Sequence, residues 1–493
     1  LQDIGSRLSR YRPIMRGVPA NRCLNTDKGL AMNENFDAIV IGTGQAGPSL
    51  AVRLAQSGKK TAIIERKLYG GTCVNVGCTP TKTLVASARA AYMARHAADY
   101  GVLVEGIPRV DMARVKARMD AVVRQSSDGV RKWLHTTPGL TVIEGHARFI
   151  DNHAIAVNGT TLEAPQIFIN VGGRAAVPDI PGLAQTSYLT SSTILELDEL
   201  PKHLLIIGGS YIGLEFAQIY RRFGSMVTVL EVGPRLISRE DEEVSLAVQQ
   251  ILEGEGIRFH FNAGKMRVNQ NGTSIALQAE SDGKPVETSG SHILIGAGRV
   301  PNTGDLGLEN TGVATDKRGY ITVDDRLATN VAGIYALGDV NGRGAFTHTA
   351  YNDYEILAAN LLDNDPRKLS DRIPVYALYT DPPLARIGMG ESEARASSKR
   401  ILKGRMMMSR VARARERSET QGFMQVLVDA DTKKILGATL LGIEADEVIH
   451  LLLDVMYTGA PYTVIQRAMH IHPTVSELIP TLLGDLRPLD EGR

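Results

Sequence analysis

A short pattern of glycines and one acid occurs twice in this chain. Gly42, Gly47 and Glu65 reappear as Gly208, Gly213 and Glu231, each displaced by the same 166 positions. The surroundings repeat as well. Residues 36–41 form an apolar run that predicts a buried strand, and Gly42-Thr43-Gly44-Gln45-Ala46-Gly47 follows as a turn. A helical pattern over 49–56 leads to a second strand over 61–64, ending at Glu65. In the later copy the strand is 203–207 and the turn is Gly208-Gly209-Ser210-Tyr211-Ile212-Gly213. The helix is 214–223, and the second strand, 227–230, ends at Glu231. A strand–turn–helix–strand order with this internal spacing predicts two nucleotide-binding units of parallel strands.

Composition bounds the rest. A chain of 493 residues exceeds what one core can serve, so several domains are expected. A net charge of +1 gives no reason to expect nucleic acid or an acidic membrane surface as a partner. No apolar run approaches the roughly 18 residues of a membrane-spanning helix. The three cysteines, Cys23, Cys73 and Cys78, do not make a structural disulfide framework. They suit a reducing compartment with one catalytic pair. Residues 1–31 carry Arg7, Arg10, Arg12, Arg16 and Arg22 without apolar periodicity. They read as a disordered tail, or as sequence upstream of a natural start at Met32. An Arg-rich transit peptide for organellar import is the minor alternative.

Further along, 86–133 is helical in pattern, with long runs between Gly and Pro breaks, and 141–143 and 167–169 are strand-like. Asp179-Ile180-Pro181-Gly182 punctuates the passage into the second nucleotide unit, and Gly296-Ala297-Gly298-Arg299 marks its end. From about residue 374 the texture changes to alternating strands, 422–428 and 435–441, with two apolar helices. Met406, Met407 and Met408 read as strand core filling. Arg410, Arg413, Arg415 and Arg417 read as a solvated basic face. No zinc-type Cys/His spacing occurs, so no metal site is expected.

Between the two repeats stands Gly70-Gly71-Thr72-Cys73-Val74-Asn75-Val76-Gly77-Cys78, followed by Pro80 and Lys82. Four residues separate the thiols, close enough for one disulfide. The string resembles the redox centre of the flavin-dependent pyridine nucleotide–disulfide oxidoreductases. That family includes glutathione reductase, dihydrolipoamide dehydrogenase and mercuric reductase. The resemblance covers 33–485. It implies an α/β fold with two Rossmann-like nucleotide-binding domains, for FAD and NAD(P), and a C-terminal α+β dimerisation domain. The expected boundaries are a tail over 1–32, a discontinuous FAD-binding domain over 33–183 and 299–373, an NAD(P)-binding domain over 184–298 and a dimerisation domain over 374–493.

The first turn suits a pyrophosphate. Gly42 permits the tight turn, Gly44 lets phosphates approach the backbone, and Gly47 lets helix and strand pack. Glu65 suits a ribose hydroxyl pair. The resemblance makes this ligand FAD. It adds Asp339, within Gly333-Ile334-Tyr335-Ala336-Leu337-Gly338-Asp339, as the contact to the ribityl chain. Gly71, Thr72, Lys82, Gly172, Gly298, Arg299, Gly338 and Ala350 are further expected cofactor positions. At the second turn, with Gly208 and Gly213, the resemblance implies NADH or NADPH. Ser210 stands where the pattern has its middle glycine. Glu231 accepts from both ribose hydroxyls but repels a 2′-phosphate, so NADH is expected. NADPH stays open, because Arg235 lies further along the loop. Tyr211 either covers the nicotinamide pocket, as in glutathione reductase-like members, or packs as an ordinary helix residue.

The resemblance also implies roles in catalysis. Cys78 is the thiol beside the flavin and Cys73 the one that meets substrate. Lys82, held by Glu215, stabilises the reduced flavin. Hydride passes from NADH to FAD, and electrons then reduce the Cys73–Cys78 disulfide. His472-Pro473 with Glu477 matches the family's base, and Glu477 orients the imidazole. His470 is less suited. In the family this histidine serves the partner subunit's site, which implies a homodimer.

The acceptor is less determined. Cys78-Thr79-Pro80-Thr81-Lys82-Thr83-Leu84-Val85, Pro382-Pro383-Leu384-Ala385-Arg386 and Arg413-Ala414-Arg415 resemble mercuric reductase-like bacterial flavoproteins, among them one of reactive-chlorine resistance. That implies a cytoplasmic reductase of metal ions, disulfides or other oxidants. No cysteine follows Cys78, so the C-terminal metal-receiving pair of mercuric reductase is missing. Glu231, His472 and Glu477 also suit dihydrolipoamide dehydrogenase, the alternative. A flavin-binding scaffold with incidental turnover, or a monooxygenase, would need neither the dithiol nor the His472/Glu477 pair.

Overall fold

The computed structural model describes residues 33–489. The expected tail and Cys23 lie outside the described residues.

The repeat extends to whole sheets. The first is a five-stranded parallel sheet in the order Ile334–Ala336, Gln166–Ile169, Ala38–Ile41, Thr61–Glu65, Leu140–Glu144. The second has the order Tyr188–Thr190, His292–Ile295, His203–Ile207, Met226–Leu230, Arg258–His260, again all parallel. In each, the Gly-rich turn leaves the central strand and its helix leads to the neighbouring strand. Ala38–Ile41 is buried at every position, and His203–Ile207 at all but its first. Both faces of such a sheet are covered, which explains the unbroken apolar runs. Each unit also carries an antiparallel meander, with Ala154–Val157 central in one and Ser274–Ser281 in the other. The alternating burial of Ser274–Ser281 is the mark of a sheet with one wet face.

The first sheet is completed by strand Ile334–Ala336, which lies beyond the whole second sheet in sequence. The remaining sheet is antiparallel and six-stranded, in the order Val375–Leu378, Leu384–Gly388, Ile435–Leu441, Phe423–Asp429, Ile401–Met407, Arg487–Pro488. Helix Ala445–Thr458 packs on it through Val448, Ile449 and Leu452.

The helical stretch with its Gly and Pro breaks is found, and one other reading needs correction. The stretch 86–133 holds helix Cys78–Arg95, a short 3-10 turn Ala97–Tyr100 and helix Met112–Thr136. Gly101, at φ +76°, and Pro108 break it, and Asp111 restarts it by accepting from the Arg114 amide at 3.1 Å. Met406 and Met408 are core, but Met407 points outward, because side chains alternate along strand Ile401–Met407.

Candidate active site

The two turns are built alike down to individual atoms. In the first, Gly42 has φ +102°, and a Cβ there would stand 2.4 Å from the Asn170 carbonyl oxygen. A Cβ on Gly47 would stand 2.2 Å from the Gly42 oxygen. Glu65 accepts from the Thr43 amide at 3.0 Å and the Lys67 amide at 2.8 Å. In the second, a Cβ on Gly213 would stand 2.0 Å from the Gly208 oxygen. Glu231 accepts from the Gly209 amide at 2.6 Å and the Gly233 amide at 2.7 Å. Neither Gly47–Gln56 nor Tyr211–Phe223 has a side-chain cap at its N-terminus, so the first-turn amides remain suited to phosphate oxygens.

The residues fit FAD at the first turn. A Cβ on Gly71 would stand 2.7 Å from the Gly44 Cα, so the segment carrying the thiols lies directly on the turn. Gly172, at φ +63°, would have nothing within 4 Å of a Cβ, which leaves its backbone bare. Asp339 is half-buried, and burial pushes its carboxyl up, while Arg299 opposes from 3.4 Å. Arg299 also donates to the Gly173 oxygen at 2.6 Å. Gly298 is left-handed, at φ +113°. Gly338 donates to Asp353 at 2.8 Å, and buried Ala350 sits 3.5 Å from where its Cβ would be.

Cys73 lies in helix Gly71–Val76 with Thr72, and Cys78 begins helix Cys78–Arg95. Both are free thiols. The Thr347 hydroxyl donates to the Cys73 sulfur at 3.0 Å and stands 3.3 Å from that of Cys78. The Cys78 thiol is brought down to about 6, first because the Cys73 thiol donates to it, then through Thr347 and the Lys82 charge. Cys73 is driven up by that same hydrogen bond and by burial. The pair therefore holds one thiolate, on Cys78, and one thiol, on Cys73.

Lys82 lies one turn beyond Cys78, and its ammonium reaches both oxygens of buried Glu215 at 3.0 and 2.8 Å. Tyr379 donates its amide to Glu215 at 3.0 Å and lays its ring 4.5 Å from the Lys82 nitrogen.

Tyr211 donates to Glu240 at 2.9 Å, and Tyr376 donates to the same oxygen at 2.7 Å. Arg386 donates to the other Glu240 oxygen at 2.7 Å. The ring of Tyr211 stands edge-on to Phe346 and Tyr376. Its place is thus a junction between units, with the hydroxyl anchored.

His472 donates from Nδ1 to the Glu477 carboxylate at 2.9 Å, which leaves Nε2 for other work, and the histidine is 73% exposed. Among the described residues of one chain, no hydrogen bond joins it to either thiol. Arg413 donates to the Pro473 oxygen at 2.6 Å and Arg417 pairs with Glu444, so those two of the basic run are structural ties. His470 bonds the nearby Ala468 oxygen.

Sequence reasoning missed Asn170, whose amide donates to the Gly42 and Gly44 oxygens at 3.1 and 3.0 Å. It also missed Thr347, Glu240 and Asp353. None belongs to a local motif.

Comparison with known proteins places this geometry. The family model for pyridine nucleotide-disulphide oxidoreductases matches residues 36–353, and that family's dimerisation domain matches 375–483. The chain belongs to the pyridine nucleotide-disulphide oxidoreductase family. It is an enzyme of that class, and the family works with FAD and a nicotinamide nucleotide. The chain is 36% identical over 457 residues to a probable pyridine nucleotide-disulfide oxidoreductase, RclA, of Escherichia coli, covering 91% of this chain and 99% of RclA. It is 33% identical to a mercuric reductase of Staphylococcus aureus, over 84% of this chain and 76% of the relative. The solved structure of the HOCl-induced flavoprotein disulfide reductase RclA matches with a TM-score of 0.83 at 36% identity, covering 91% of this chain and 99% of that one. As an oxidoreductase of this family, the chain shows, among the described residues, no helix long and apolar enough to cross a membrane.

Proposed function

We propose that the protein takes electrons from NADH through FAD to the Cys73–Cys78 pair and delivers them to a metal ion, a disulfide or another oxidant. The observation that carries this reading is the dithiol beside the Lys82–Glu215 pair, with the Thr347 hydroxyl 3.0 Å from the Cys73 sulfur and 3.3 Å from that of Cys78.

FAD, when bound, supplies the two-electron link between nicotinamide and dithiol. The residues around Gly42 and Asp339 would hold it. The chain's own groups do the rest. Lys82 places a positive charge one turn from Cys78, where negative charge develops. Cys73 meets the acceptor. With a disulfide acceptor, its thiolate bonds one acceptor sulfur and expels the other. The Cys78 thiolate then bonds Cys73 and expels the first, leaving a Cys73–Cys78 disulfide. His472, aligned by Glu477, takes the proton of Cys73 and gives it to the acceptor sulfur that Cys73 expels, and solvent protonates the sulfur that Cys78 later expels. In our reading that histidine comes from a second copy, so the unit is a homodimer with shared sites.

Two observations support NADH. Glu231 is locked at the turn by two amides, where it accepts from ribose hydroxyls and repels a 2′-phosphate. Arg235 turns back to the Ser238 and Glu240 oxygens, each at 3.2 Å. Equal or better kcat/KM with NADPH would overturn this.

The acceptor is tested by NADH-dependent turnover with Cu²⁺, Hg²⁺ and lipoamide, with Cys73→Ser as control. We expect metal reduction that needs Cys73 and little lipoamide turnover. Fast lipoamide turnover moves the protein to dihydrolipoamide dehydrogenase, the reading favoured by the His472–Glu477 pair. Turnover indifferent to Cys73 refutes the dithiol route.

A further inference from the structure

Two helices begin at the dithiol. Cys78 is the first residue of Cys78–Arg95, and Thr347 is the first residue of Thr347–Leu362. These are 18- and 16-residue helices, so each presents a full positive end to the sulfurs. Among the described residues, Thr347 alone carries a hydroxyl to within reach of both sulfurs, 3.0 Å from Cys73 and 3.3 Å from Cys78. Its neighbour Phe346 fixes the position. That ring stacks on Tyr376 at 5.6 Å and on His348 at 5.3 Å. The Phe346 amide donates to the Thr349 hydroxyl at 3.1 Å, which closes the start of the helix. Thr347 is therefore held by packing before and by helix after, and its hydroxyl has only a rotation about one bond left to make.

We infer that Thr347 is a catalytic residue whose single hydroxyl hydrogen bond passes from Cys73 to the Cys78 thiolate once Cys73 is bonded to the acceptor. The inference rests on the dithiol reading above. With both cysteines reduced, Cys73 supplies the main hydrogen bond to the Cys78 thiolate, and Thr347 donates to Cys73. Once Cys73 is bonded to an acceptor sulfur, it has no proton to give. Cys78 then depends on the Thr347 hydroxyl and the Lys82 charge to remain a thiolate and attack. Thr347 takes part in no bond change of its own. It neither loses nor gains a proton over the cycle, and the electrons stay with the sulfurs.

The test uses the full-length flavin-loaded protein with Thr347→Val, which keeps shape and loses the hydroxyl, and Thr347→Ser, which keeps the hydroxyl. Iodoacetamide labelling of the reduced protein, followed site by site by peptide mass spectrometry, gives the pH midpoint of Cys78. This is repeated with Cys73→Ala, to remove the competing donor thiol. We expect Thr347→Val to raise the Cys78 midpoint by about one pH unit, a roughly tenfold loss of thiolate at the lower pH. Thr347→Ser should stay within about threefold of the parent. Labelling profiles that are the same for Val and Thr, with flavin content preserved, overturn the inference. A midpoint raised equally by Val and Ser also overturns it, because the effect would then lie in the γ-methyl packing. Turnover that needs no Cys73 would refute the proposed function instead, while the Cys78 midpoints still report on Thr347.

Discussion

The Lys82 ammonium faces both carboxylate oxygens of Glu215, one residue from each of two helices that start at different nucleotide units. Glu215 is the buried partner and Lys82 is one-third exposed. Truncating Glu215 strands two donors, the ammonium and the Tyr379 amide. We expect Glu215→Ala to cost about 1–3 kcal/mol in denaturant unfolding, mostly through the amide, since water screens the exposed ammonium. It should also slow dithiol formation by NADH more than roughly tenfold, because the cation is no longer aimed. Unchanged unfolding and unchanged stopped-flow reduction would contradict both expectations.

Stability of the reduced protein should depend on Cys78. Its thiol titrates at about 6 in the fold against an ordinary 9.0, a depressed acid. Its contribution is therefore fully present above the ordinary value and is lost as pH falls through the folded one. The gap in stability between the parent and Cys78→Ser should be widest near pH 9 and close toward pH 6. Chemical unfolding across that range, under reductant, measures it. A gap that is flat or widens on acidification would contradict a depressed Cys78 thiol.

His472→Ala should slow exchange between the dithiol and its acceptor by about 10²–10⁴-fold. Flavin reduction by NADH should be spared, because no contact joins His472 to the Lys82 region among the described residues. Mixed dimers decide whether the site is shared. Co-refolded Cys73→Ser and His472→Ala chains should regain about a quarter of the parental activity, since one site in each hybrid is intact. No recovery on mixing would place the base and the thiols in the same chain.

Gly213→Ala should separate the two nucleotide sites. Its Cβ would stand 2.0 Å from the Gly208 oxygen, which forces the second turn open. Overpacking of this kind costs about 1–3 kcal/mol, and here it falls on the turn that would hold the NADH pyrophosphate. The expected result is a KM for NADH raised at least about tenfold with flavin content unchanged. Loss of flavin with KM intact would reverse the assignment of the two turns.

What could be read from the sequence was what lies within one motif. The two Gly turns, Glu65 and Glu231, Cys73 and Cys78, and His472 with Glu477 are each defined over a few tens of residues, where backbone geometry fixes the spacing. Lys82 and Glu215 lie 133 positions apart, and family likeness paired them. Thr347 stands 274 positions from Cys73, and nothing local distinguishes it from a residue that begins a helix. Asn170 is a similar case, 128 positions from the Gly42 it steadies. Glu240 looks like one acid among several in Arg239-Glu240-Asp241-Glu242-Glu243. Only the fold shows that its side chain is wholly enclosed, with Arg386 as its ionic partner. Such residues owe their setting to tertiary approach, which local periodicity does not encode.

Strand Ile334–Ala336 has a bearing on how the chain is made. A ribosome delivers residues in order, at roughly 5–20 per second. The sheet around Ala38–Ile41 lacks its Ile334–Ala336 edge until synthesis has passed all of the sheet from Tyr188 to Ile295. The second nucleotide unit therefore emerges, and is able to close, while the first still waits with one edge open. The order of synthesis thus lets the inserted unit complete its sheet before its host has all of its strands.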